Sequence, residues 1–62
     1  MSYLDKVTAE RAELDVKCDR LRAFLAGPCH LLKPGAILRL QRQLAAMSEY
    51  SAILGERIRE DL

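Results

Sequence analysis

The sequence predicts an all-α protein, a two-helix antiparallel hairpin that assembles into a symmetric homo-oligomeric helical bundle. Three observations carry this expectation. Ile37, Leu40, Leu44, Met47, Ser51, Leu54 and Ile58 recur at alternating spacings of three and four, a heptad seam along one helix face. Leu4, Val7, Arg11, Leu14, Cys18, Leu21 and Leu25 repeat the spacing. Folding one stretch back on the other pairs the layers in order, from Leu25 with Ile37 to Leu4 with Ile58, and drops the two polar exceptions, Arg11 and Ser51, into one layer. Finally, 50% of the residues are hydrophobic, more than one seam needs, and Val16, Phe24, Leu38, Ala45, Ala52 and Ile53 lie off it. A chain of 62 residues buries only about 60% of its unfolded surface. The apolar surplus therefore predicts a second buried face and an obligate oligomer.

The elements follow in order within a single domain, 1–62, with a helix over about 3–26, a turn over about 27–34 and a helix over about 35–60. Ser2 is a good N-cap with Asp5 three residues on, the Ser-x-x-Asp form of a capping box. The first helix is rich in Ala, Glu, Leu, Lys and Arg, and Glu13 and Lys17 stand at i, i+4 with the acid first, suited to an exposed pair. Gly27 and Pro28 end it, Gly being the usual left-handed C′ residue and Pro unable to continue a helix. Arg20 and Arg22 near this terminus complement the helix dipole. The connection GPCHLLKPG exceeds what a tight turn needs, and Leu31 and Leu32 are expected to close the end of the core or to meet a neighbouring subunit. Pro34 suits a first helical turn. Gly55, inside the second helix, suggests either the close approach of another backbone or a ligand, or simple tolerance near a fraying helix end.

Charge is unevenly placed although the net is only +1: between Arg20 and Ser48 there is no carboxylate, while Arg20, Arg22, Lys33, Arg39 and Arg42 lie there, making the turn end basic. Asp5 and Lys6 arrive before any apolar run, so no signal peptide is expected, and no stretch approaches the ~18 apolar residues of a membrane span. With Cys18 in the seam and Cys29 in the turn, the hairpin keeps the thiols apart, and a cytoplasmic chain with reduced cysteines is expected.

Catalytic chemistry finds little footing. Cys29-His30 is the one Cys/His neighbour pair, without further ligands at metal-binding spacing, and no phosphate-cradling glycine loop occurs, so no enzyme, metal or cofactor is expected. Three readings fit the Arg11–Ser51 layer: an arginine whose stem packs while its head reaches water or a glutamate such as Glu10 or Glu49, a register device, or an anion site built from several copies. Tyr50 and Arg57, one heptad apart beside the seam, could stack a base and hold its phosphate, or simply pack at an interface.

Several pieces together, Lys6-Val7, Glu13-Leu14, Leu21 to Leu25, Gln43-Leu44, Met47 to Tyr50 and Arg57-Ile58, give the chain a family likeness. It resembles the hairpin domain shared by phage anti-CBASS and Thoeris anti-defence sponge proteins. That resemblance implies a non-enzymatic oligomer, commonly a hexamer, that sequesters cyclic nucleotide immune messengers in pockets between subunits in the host cytoplasm. It implies Arg57 as a ligand-binding residue, with Phe24 and Tyr50 as stacking residues. Lys6 stands where arginine is more usual, and Arg11 is a further candidate. Without the extra N-terminal region of the larger anti-Thoeris members, the resemblance implies cyclic di- or trinucleotides rather than cyclic ADP-ribose variants as the expected ligands. Two alternatives stand beside it: a small RNA- or DNA-binding hairpin dimer using the basic turn end, and a pure assembly adaptor whose seam recruits another helix.

Overall fold

The computed structural model describes residues 2–61 and is a helical hairpin. Helix α1 spans Tyr3–Ala26, a 3₁₀ turn covers Pro28–Leu31, and helix α2 spans Pro34–Glu60. Met1 and Leu62, the ends of the expected domain, lie outside the described residues.

Local chemistry sets the ends. The Ser2 side chain accepts from the Asp5 backbone N–H at 3.2 Å, satisfying one of the orphan donors of the first turn. Gly27 does not take the left-handed conformation expected of it: φ is −128° and ψ −97°, and its N–H bonds Phe24 O at 3.2 Å. The reason is that Gly27 also caps the 3₁₀ turn begun by Pro28, so no left-handed cap intervenes between helix and turn. Lys33 in extended conformation leads into α2, whose first turn holds Pro34.

Burial follows the two stripes. Every seam position of both helices is buried or half-buried, and Val7, Cys18 and Leu54 are the most enclosed apolar side chains, Leu54 at 0% exposure. Full burial of one leucine contributes about 1.5–3 kcal/mol, so Leu54 anchors the packing of α2 on α1. Most other seam residues keep one side open, because two helices have only one facing side each.

The outcome is a rod of 44 × 15 × 14 Å with a radius of gyration of 14.2 Å. A compact domain of this length would have about 10.5 Å. Accessible surface is 4675 Å², where a compact monomer of 7.0 kDa would expose about 4,000 Å². The excess is partly apolar: Val16, Leu31, Leu38, Tyr50 and Ile53 are all exposed.

Leu31 and Leu32 do not cover the end of the core. Leu31 is 81% exposed, and the turn instead closes on itself, with Leu32 N–H bonding Cys29 O at 2.9 Å. Nor do Glu13 and Lys17 pair. Among the described residues the ion pairs are Arg11–Asp15 at 4.0 Å and Arg22–Asp19 at 3.1 Å. Rather than lying in the last turn of α1, Arg22 also reaches across the hairpin, its Nη2 donating to Ser48 Oγ at 3.3 Å.

Candidate functional site

The antiparallel return of α2 brings the start of α1 beside the last turns of α2, and the polar groups converge there. Arg57 donates from Nε and Nη2 to the Tyr3 hydroxyl oxygen, at 3.0 and 2.5 Å. Its Cζ lies 5.4 Å from the Tyr3 ring centroid. The guanidinium pKa is raised, chiefly by the hydrogen bond to Tyr3, with desolvation opposing it and weaker attractions to Tyr3, Glu10 and Asp61 adding to it. Among the described residues no carboxylate comes within 4.0 Å of Arg57. Its two-nitrogen edge, the geometry that grips phosphate or carboxylate, is thus closed on one neutral phenol oxygen.

Register explains the neighbourhood. Tyr3, Phe24 and Tyr50, the three aromatic residues, each immediately precede a seam position, and so does Arg57. In an antiparallel pair that position falls on one flank of the hairpin for both helices. Tyr50 is exposed on that flank one heptad before Arg57, about 10 Å along α2. Lys6 is exposed one turn into α1 from Tyr3. Phe24 is half-buried near the turn, about 30 Å along the rod from Tyr3, so within one chain it cannot share a ligand with Arg57. Spacing alone pointed to Arg57 and Tyr50. It did not mark Tyr3, although the shared heptad position was the available signal.

Arg11 is engaged elsewhere. Its Nε donates to Ser51 Oγ at 3.5 Å and stands 4.0 Å from Asp15, while Ser51 Oγ donates to Asp15 Oδ1 at 2.5 Å. The two polar exceptions of the seams do meet in one layer, and the carboxylate completing it is Asp15, four residues along α1, rather than Glu10 or Glu49. Gly55 is explained by the same group. A Cβ on Gly55 would lie 2.8 Å from Arg11 Cζ, so it is the guanidinium of the facing helix that approaches closely, not a backbone or a ligand.

At the turn, Cys29 Sγ donates to Leu25 O at 3.2 Å, and His30 Nδ1 lies 3.3 Å from Gly27 O. Both thiols are free, Cys18 inside the seam. Among the described residues no group of three or more His, Cys, Asp or Glu side chains is placed to hold a metal ion, and no helix is long and apolar enough to cross a membrane. A single copy encloses no pocket among the described residues.

Residues 1–60 match the model of the Sequestin family. The chain belongs to the Sequestin family. The match covers both helices and the turn, so the Sequestin unit is the whole hairpin and not one helix of it. The name Sequestin denotes the sequestering of a molecule. Neither a curated protein nor a solved structure gives a match.

Proposed function

We propose that this Sequestin hairpin is a non-enzymatic sponge: copies associate, commonly as a hexamer, and hold cyclic di- or trinucleotides between them. The observation that carries the reading is the Arg57–Tyr3 contact, an arginine fork beside an aromatic ring on an exposed flank. A phosphate displaces the Tyr3 hydroxyl from the Nε–Nη2 edge, because it brings a negative charge and two acceptor oxygens for a bidentate pair where the phenol offers one oxygen. The freed ring of Tyr3, or that of Tyr50, then offers a face on which a base stacks. Lys6 adds a cation one turn away. A rod only 15 Å wide has no interior for such a ligand, so its second wall comes from another copy. Phe24 takes part only if that neighbour brings its turn end alongside. Arg11, already bonded within the seam, serves register rather than ligand.

The family name supports sequestering over catalysis. The resemblance to phage anti-defence sponges supports immune messengers in the host cytoplasm as the captured molecules, with cyclic ADP-ribose variants disfavoured. Titration calorimetry against a panel of cyclic di- and trinucleotides and cyclic ADP-ribose variants tests this. Binding by the native chain and its loss in Arg57→Ala, with subunit association intact, is the expected result. No heat with any member of the panel overturns the reading.

The carboxylate-free stretch from Arg20 to Ser48 favours one competitor, a hairpin that tracks nucleic-acid phosphates with Arg20, Arg22, Lys33, Arg39 and Arg42. A salt-dependent shift of labelled RNA or DNA would support it, and the absence of any shift at low salt removes it.

A further inference from the structure

The exposed back of α2 reads the same in both directions. Opposite the seam stand Leu38, Arg42, Ala45, Ala46, Glu49 and Ile53, all exposed, Leu38 at 60% and Ile53 at 41%. At 3.6 residues per turn they share an arc of about 100°. Reversing the helix about the point between Ala45 and Ala46 lays Leu38 on Ile53, Arg42 on Glu49, and the two alanines on each other. Each apolar side chain meets an apolar one and each cation meets a carboxylate. The smallest side chains sit at the crossing, where two helices approach most closely.

We infer that this face binds a second copy of the chain, with the two α2 helices antiparallel about a twofold axis between Ala45 and Ala46. An isologous contact of this kind requires a surface complementary to itself under that rotation, which is what the pattern supplies. Charge along the rod acts in the same direction. All nine carboxylates lie outside Arg20–Ser48, and five of the ten Lys and Arg lie inside it. A parallel neighbour sets the cationic turn ends side by side, whereas an antiparallel one sets each against the acidic end of the other. Arg42 is one of those turn-end cations, and the carboxylate it meets, Glu49, opens the acidic remainder of α2. Arg57 follows Ile53 by four residues and Tyr50 follows Ala46 by four, so the contact borders the Tyr3–Arg57 flank and brings the second copy to its edge. It rests on the self-association proposed above and adds the face and direction that association uses.

Sedimentation equilibrium over a range of concentration and salt decides the matter, with circular dichroism as the control for folding. Arg42→Glu and Glu49→Arg should each weaken association at least tenfold at low salt, because the twofold axis turns one substitution into two repulsions. The double swap Arg42→Glu/Glu49→Arg should restore it, and Ala45→Arg should abolish it. Helical content should hold in all four variants, since these side chains are exposed and lie off the seam. A double swap that stays as weak as the single swaps, helicity being intact, overturns the inference. So does association insensitive to all four variants, which would leave the sponge reading standing on another face. A native chain that is monomeric at every concentration removes both.

Discussion

Arg11 is a charged residue in an apolar seam, held by weak bonds. Its contacts to Ser51 and Asp15 measure 3.5 and 4.0 Å, and its side chain is 40% exposed. An ion pair this open contributes about 0–1 kcal/mol. Removing it strands no buried group, since Ser51 still donates to Asp15. Arg11→Leu should therefore leave the melting temperature unchanged or raise it, and a loss beyond about 1 kcal/mol would show that the head is held more tightly than the distances imply. Gly55→Ala is the matching experiment. Alanine gains roughly 0.5–1 kcal/mol of helix propensity over glycine, while its Cβ forces out a guanidinium that has solvent to move into. A near-neutral or slightly stabilising change is expected by thermal melting, with the Arg11 head relocated. The charge on Arg57 gives no pH switch. A raised guanidinium pKa contributes stability that is fully present below its ordinary value and lost only as pH climbs through the higher folded value, far above neutrality. Ligand retention through Arg57 should be flat between about pH 6 and 9 in calorimetry.

At the level of the helices, the seam and the outer surface should respond in opposite ways. Leu54 is fully enclosed between α1 and α2, so Leu54→Ala should cost about 2–5 kcal/mol. That is a large part of the stability available to so small a domain, and the variant should melt far below the native chain or fail to fold. Leu38 is mostly exposed, and Leu38→Ala should shift the melt of dilute protein by no more than about 0.5 kcal/mol while weakening association. The seams were legible because burial on one face imposes a period, and a period survives in a bare sequence. Features set by geometry across the hairpin were not. The role of Gly55 depends on where a side chain forty-four positions earlier ends up. The conformation of Gly27 depends on the 3₁₀ turn after it, and the exposure of Leu31 on how that turn closes. In the candidate site, Arg57 and Tyr50 could be found from spacing, but Tyr3 gains its place through a hydrogen bond spanning 54 positions, whose trace in the sequence is the heptad position it shares with Arg57.

For the whole molecule, stability and association are linked. A rod whose seam residues are mostly half-exposed, and which carries apolar side chains on its outer faces, gains stability from whatever covers them. Its melting temperature should consequently rise with protein concentration, as mass action demands when the folded state alone associates. A melting temperature independent of concentration would mean that the outer faces stay wet.

Nearly all of the excess positive charge resides at the turn of a 44 Å rod and the excess negative charge at its other end. Such a particle carries a permanent electric moment along its length despite being almost neutral in total. In dilute buffer of low ionic strength a pulsed field should orient solitary rods and make the solution birefringent. Pairing them in opposite directions cancels the moments, so the optical signal should fade as concentration rises.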